Sequence, residues 1–315
     1  MQEKSTQQRS TQEKSTTGIS SQQLSAHQLS TLNTSGSEIE FPLRNITLRG
    51  LAFGDPSKPL IVALHGWLDN AATFVPLAAY LQGYYVITLD FAGHGKSDHR
   101  SKDAHYHLVD FVYDVHEVVE TQGWDNFILL GHSMGGIIGS MYTSCFPEKV
   151  SKYITIESLG PVTKDSESSP EQLRESIESR LKGAASEGKH PSNKQSVIRA
   201  RAIAGGFSDE CARLLVERNL CEIEGQLEFT TDRRLRTFSS LRLTEGQAQA
   251  FLKAITCPTI VIIADNGYEI MKKTAELRIN LLKDAKLLSV PGSHHPHLDN
   301  TQSVSVHILH FLHEN

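Results

Sequence analysis

Ser133 stands at the centre of a Gly-x-Ser-x-Gly motif in the run FILLGHSMGGIIGSMY, residues 127–142. A serine hydroxyl attacks a carbonyl only when a base removes its proton and fixed donors receive the charge that develops on the carbonyl oxygen. The apolar, strand-like residues before the motif and the apolar, helical residues after it place Ser133 on a sharp corner. There its hydroxyl is lifted clear of the backbone. Gly131 and Gly135 allow neighbouring backbone to pass where a side chain would collide. Plain turn chemistry would use the same residue types, so the surrounding sequence must supply a base, an acid and donors.

The chain has 15 histidines, and position selects among them. VPGSHHPHLDN follows the last expected strand, which makes His294 the expected base and His295 its fallback. Two carboxylates compete to orient that base. Glu157 ends the strand KYITIES and Asp265 ends TIVIIAD; both precede the histidines, so chain order leaves the choice open. The N–H of Met134, at the start of a helix, and that of Trp67, in the loop of ALHGW, are the expected oxyanion donors. His65 and Gly66 in that loop also suit a tight strand exit.

Two other runs suggest different chemistry. Three histidines within residues 294–297 invite a metal, but no carboxylate or thiol lies at the spacing of known metal motifs. No metal and no cofactor are expected. AGHGKSD carries Gly-Lys-Ser, yet Asp90 stands where a phosphate-binding loop needs its first glycine. The basic run DRRLR, residues 232–236, suits either an anionic substrate or a solvated, ion-paired surface.

The elements that must position these residues follow an α/β rhythm. EIEFPLRNITLRGLAF reads as two strands. PLIVALHG, YYVITLDFAGHG, NFILLGHS, KYITIESLG, CPTIVIIAD and AKLLSVPG read as short, uniformly apolar strands. FVPLAAYLQ, LVDFVYDVHEVVETQG, GGIIGSMYTSCF and SVSVHILHFLHE read as the helices of a sheet covered on both faces. The rhythm breaks over residues 160–244, where an all-helical insertion is expected as a cap over the carboxyl edge of the sheet. Residues 38–159 and 245–315 then form the core. Residues 1–37, with 22 Ser, Thr and Gln, the repeat QEKST and a serine at every fifth position from Ser5 to Ser35, read as a disordered tail without a secretory or transit signal.

Composition narrows the function classes. A net charge of −5, from 31 basic and 36 acidic side chains, gives no electrostatic case for nucleic acid. No apolar run approaches the roughly 20 residues that span a bilayer. The four cysteines form no Cys-x-x-Cys pair and suit reduced side chains, and a C-terminus of HEN is no peroxisomal signal, so a cytoplasmic setting is expected. Nothing in the sequence addresses oligomeric state.

With LHGW, DFAGHGKSD, GHSMGG and GSHHPHLD in this order, residues 39–315 resemble the α/β-hydrolase superfamily. LHGWLDNAATF and DRRLRTFSSLRLTEGQAQAFLKAITCPTIVII resemble its serine hydrolase-like, Kraken-type branch. The resemblance implies a mostly parallel eight-stranded sheet with helices on both faces and a helical cap after the sixth strand. It implies Ser133 as nucleophile and His294 as catalytic histidine. Many relatives carry the acid as the last residue of Gly-Glu-x-Asp after the strand at 258–264; here Gly267 occupies that position, and relatives with glycine there point to Glu157. The expected reaction is hydrolysis of an ester-type bond in a small molecule, with thioester or C–C bond hydrolysis, or a ligand receptor on the same scaffold, as alternatives.

Overall fold

The computed structural model describes residues 36–185 and 190–314. The expected tail therefore lies outside the described residues except at its end, where Ser37 already opens a strand. In chain order the first elements are β1 (Ser37–Pro42), β2 (Thr47–Phe53), β3 (Leu60–Leu64), the single turn α1 (Val75–Ala78), β4 (Tyr85–Asp90), α2 (Leu108–Gln122), β5 (Phe127–His132), α3 (Met134–Cys145) and β6 (Val150–Ile156). Then come α4 (Ser169–Ala185), α5 (Lys194–Gly205), α6 (Asp209–Asn219), β7 (Leu220–Ile223), β8 (Gln226–Phe229) and α7 (Glu245–Ala254). The chain closes with β9 (Thr259–Ala264), α8 (Glu269–Arg278), β10 (Ala285–Val290), the single turn α9 (Pro296–Asp299) and α10 (Thr301–His313).

Among the described residues, eight strands form one sheet in the order β1-β2-β4-β3-β5-β6-β9-β10. β2 runs antiparallel to both of its neighbours, and the remaining pairs are parallel. Strand alternation sorts the apolar side chains onto two faces. Val62, Leu64, Leu129 and Val261 pack with Val115 and Val118 of α2 and Ile138 and Tyr142 of α3. Ile61, Ala63, Leu130 and Ile262 pack instead with Leu77 of α1 and with Val304, Ile308 and Phe311 of α10. Both faces are thus sealed, which is why the central strands read as continuous apolar runs. The helix expected over FVPLAAYLQ shrinks to the single turn α1, preceded by a 3-10 turn at Ala71–Phe74.

The insertion between β6 and β9 is not all-helical. β7 and β8 form an antiparallel hairpin, closed by Glu224 and Gly225, both with positive φ. That is the backbone of a two-residue type I′ turn. α5 and α6 bury Ile198, Ala202, Leu215 and Val216 in a small core of their own, with Leu298 of α9.

Two arginines fasten the insertion to the core. Arg218 of α6 donates from Nε to Asp90 at 2.8 Å and from Nη1 to Glu38 at 2.9 Å. Arg234 donates to the backbone carbonyls of Arg100, Ser101 and Ala104 at 2.6–2.7 Å. Asp90 also explains the Gly-Lys-Ser run: its carboxylate accepts the N–H of Lys96 at 2.9 Å, and Ser97 Oγ donates to its backbone carbonyl at 2.6 Å. The loop wraps a carboxylate at the point where a nucleotide-binding loop would wrap phosphate.

Candidate active site

Ser133 links β5 to α3 with φ 50° and ψ −117°. A non-glycine residue held in this region costs about 1–3 kcal/mol and persists only where its surroundings enforce it. Here the enforcement is backbone packing. A β-carbon on Gly135 would lie 2.0 Å from the carbonyl oxygen of Leu64, and one on Gly131 would lie 2.5 Å from Cα of Gly136. The Ser133 N–H is tied to the carbonyl of Ile156 at 2.9 Å.

His294 lies between β10 and α9, far from Ser133 in sequence, and its Nε2 stands 3.0 Å from Ser133 Oγ. Its Nδ1 lies 2.9 Å from Glu157 Oε2. With a carboxylate as acceptor at Nδ1, that nitrogen carries the proton and Nε2 presents its lone pair to the serine. Glu157 is completely buried just past β6, and it too has a positive φ, 57°. Its Oε1 accepts the N–H of Ala264 at 2.6 Å, and its Oε2 that of Tyr268 at 3.4 Å. The Tyr268 ring stacks on His294 with centroids 4.1 Å apart.

The competing residues go elsewhere. Asp265 is exposed and accepts a hydrogen bond from Ser289 Oγ. His295 turns its Nε2 to Asp69 at 3.0 Å. Trp67 lines the same cavity as Ser133, and its indole N–H donates to the carbonyl of Leu235 at 2.9 Å. The Met134 amide opens α3, where a helix supplies no acceptor for it. His65 takes the strand-exit part: Nδ1 donates to the Gly66 carbonyl at 2.7 Å and Nε2 accepts the Phe91 N–H at 3.1 Å. Burial pushes its pKa down to about 4, so the ring is neutral.

A second layer of polar groups escaped the sequence reading. His132, buried beside the serine, donates from Nε2 to the backbone carbonyl of His294 at 2.8 Å. Burial first, and then the rings of His297, His295 and His294, hold its pKa well below the usual imidazole range. Asp69 is bound by Arg201 of α5 as well as by His295. Burial alone would raise its carboxyl, but His295 and Arg201 outweigh it and hold it well below the ordinary carboxylate value. Asp69, His132 and His295 bring three possible ligand atoms within 4.8 Å of one another. The Arg201 guanidinium already neutralises Asp69 at that point, which opposes a second cation.

These groups border a cavity of about 800 Å³ under the insertion. A hydroxyl, an imidazole and a carboxylate in hydrogen-bonded series beside such a cavity form an arrangement suited to acyl transfer. The four cysteines are free, and among the described residues no helix is long and apolar enough to cross a membrane.

Known proteins are similar to this chain in sequence and in fold. The family model of the alpha/beta hydrolase fold matches residues 59–300. Serine hydrolase-like protein 2 of Homo sapiens is 31% identical over 283 residues, spanning 83% of this chain and 89% of the relative. A serine hydrolase-like protein of Danio rerio is 28% identical over 293 residues, 90% of each chain. Among solved structures, a hypothetical protein from Pseudomonas aeruginosa is similar with TM-score 0.80 and 34% identity, over 87% of this chain and 98% of its own. By sequence and by fold, the chain belongs to the serine hydrolase-like family of α/β-hydrolases.

Proposed function

We propose that the protein is a serine hydrolase acting on an ester-type bond of a small molecule, with Ser133 as nucleophile, His294 as general base and acid, and Glu157 as the orienting carboxylate. One observation carries the reading: the unbroken series Ser133 Oγ, His294 and Glu157, at 3.0 and 2.9 Å, on the wall of a cavity. His294 Nε2 takes the hydroxyl proton as Oγ bonds to the carbonyl carbon, and the carbonyl π electrons move to its oxygen. The amides of Trp67 and Met134 receive that oxyanion. The tetrahedral species collapses, the C–O bond to the leaving group breaks, and the alcohol departs with the proton from His294. Water then gives its proton to His294, attacks the acyl-enzyme and releases the acid, and the proton returns to Ser133.

Glu157 holds the imidazole in the required tautomer and faces the positive charge that forms on it. Its complete burial and its two backbone donors keep it in place. The test is covalent labelling by a fluorophosphonate. Wild type is expected to form one adduct, located at Ser133 by peptide mass spectrometry, and Ser133→Ala is expected to form none there and to lose turnover of p-nitrophenyl esters. Undiminished labelling or turnover of the variant would remove Ser133 from the reaction.

A further inference from the structure

The segment that carries the Trp67 amide is a turn, in which the Asp69 N–H donates to the Gly66 carbonyl at 3.2 Å. Leu68 takes the third place of that turn with φ 62°, a conformation that glycine or asparagine ordinarily supplies. Such a backbone persists only where its surroundings enforce it. A β-carbon on Gly66 would lie 2.9 Å from His132 Nδ1, so the turn packs directly on the neighbour of Ser133. The side chains that follow end on the insertion. Trp67 Nε1 donates to the Leu235 carbonyl at 2.9 Å and Asn70 Nδ2 to the Leu215 carbonyl of α6 at 2.8 Å. Asp69 Oδ1 accepts from Arg201 of α5. The other oxygen of Asp69 accepts from Nε2 of His295, one residue beyond His294, at 3.0 Å.

Of these three anchors only Asp69 is charged, and it joins the insertion to the histidine loop. It is buried, and its charge-assisted bonds are about twice as strong as the neutral bonds of Trp67 and Asn70. We propose that Asp69, clamped by Arg201 of the insertion and by His295, is a positioning residue that holds the Trp67 amide and the His294 imidazole in register across Ser133. The inference rests on the serine-hydrolase reading and deepens it: the insertion, and not the core alone, completes the oxyanion hole. An amide donor acts only from within hydrogen-bond reach of the oxygen on which charge develops. A small shift of the turn therefore weakens stabilisation of the transition state more than binding of the ester. Loss of the clamp acts on kcat, whereas a residue that merely shapes the cavity acts on KM.

The experiment follows p-nitrophenyl acetate, whose short acyl group keeps contacts with the cavity wall few. Asp69→Asn is expected to lower kcat about 100-fold, the scale of one oxyanion donor removed, and Arg201→Gln about tenfold. KM is expected to stay within about twofold of wild type in both. Arg201→Lys keeps the charge and should recover part of the Arg201→Gln loss. Asp69→Asn/Arg201→Gln should fall no further than Asp69→Asn, because partners in one contact lose it once. Fluorophosphonate labelling of Ser133, which places a phosphoryl oxygen in the same hole, is the second readout and should slow in the same order. Arg201 is partly exposed, so its variants decide the matter even where Asp69→Asn does not fold. An unchanged kcat and labelling rate in Arg201→Gln, or losses that multiply in the double variant, would overturn the proposal. That outcome with turnover still dependent on Ser133 defeats this inference alone. Turnover by Ser133→Ala equal to wild type defeats the hydrolase reading and this one with it.

Discussion

The carboxylate of Glu157 occupies the space that a side chain on Gly267 would need: a β-carbon there would lie 2.3 Å from Oε2 and 2.6 Å from the carboxyl carbon. Carboxylate and glycine are thus two halves of one arrangement, the first filling what the second leaves open. Glu157→Gln is expected to lower kcat by about 10⁴-fold, the scale seen when the orienting acid of a serine triad is replaced by its amide. Asp265→Asn should leave kcat nearly unchanged, because that side chain points to solvent and Ser289. Gly267→Ala should reduce kcat by pushing Glu157 off His294. Glu157→Ala/Gly267→Asp should recover part of the activity lost in Glu157→Ala. Steady-state rates on one activated ester check all four, and equal losses in Asp265→Asn and Glu157→Gln would reassign the acid.

The corner at Ser133 makes a prediction about stability. Gly135→Ala directs a methyl into the Leu64 carbonyl at 2.0 Å, and backbone of the central strand cannot move aside as a side chain could. The variant is expected to lose about 1–3 kcal/mol or more, the usual cost of overpacking a filled core. Urea unfolding followed by circular dichroism reads this directly. A midpoint equal to wild type would mean that β3 and α3 can separate at no cost.

Much of this was legible because the central strands carry their address in composition. Runs such as LIVAL and the IVIIA of β9 are apolar at every position, as suits strands covered on two faces. The Ser133 corner was legible from glycine spacing, whereas chain order left Glu157 and Asp265 open and only the resemblance to relatives with glycine at position 267 pointed to Glu157. The hairpin β7–β8 was missed because Glu222, Glu224 and Glu228 make LCEIEGQLEF look like helical, charged insertion. Its Glu-Gly turn between two alternating runs was the available signal. Helix α8, EIMKKTAELR, is mostly polar and likewise went unread. Asp69 and His132 stand inside quoted motifs at positions to which no role was attached, and Arg201 and Tyr268 lie in no motif. Much of their relation to the site lies in contacts that span more than a hundred residues, such as Arg201 to Asp69 or His132 to His294.

The join between insertion and core depends on Arg218. Asp90 is wholly buried and Arg218 nearly so, and the arginine is the cation that faces that carboxylate. Arg218→Met would leave Asp90 charged in the interior with backbone N–H donors alone, at a cost of about 3–5 kcal/mol for a broken buried pair. Arg218→Met combined with Asp90→Asn should recover a substantial part of that loss, since no uncompensated charge remains. Chemical denaturation of the single and double variants provides the check. If the double variant were as unstable as the single, packing of α6 rather than charge would be the cause.

Buried histidines set how stability responds to acid. Burial pushes His65 down to about 4, and burial followed by the neighbouring His65 pushes His94 down to about 3, both from an ordinary value of 6.5. His132 and His297 lie well below that value too, chiefly through burial. A group depressed by folding binds fewer protons folded than unfolded, so its contribution is complete above pH 6.5 and is lost as pH falls through the folded value. Asp69 is depressed as well and adds a loss that begins below about pH 4. Asp114 works against them: burial raises it to about 6, so folding gains from its protonation as pH falls from 6 toward its ordinary value of 3.8. Four rings outweigh one carboxyl, and the urea midpoint is expected to fall steadily from pH 7 to pH 5. His94 packs among the rings of His65, Phe91 and Phe111. His94→Phe therefore keeps the aromatic packing while removing one titrating group, and its midpoint should decline less steeply over the same range. A slope identical to wild type would show that His94 is not held neutral by the fold.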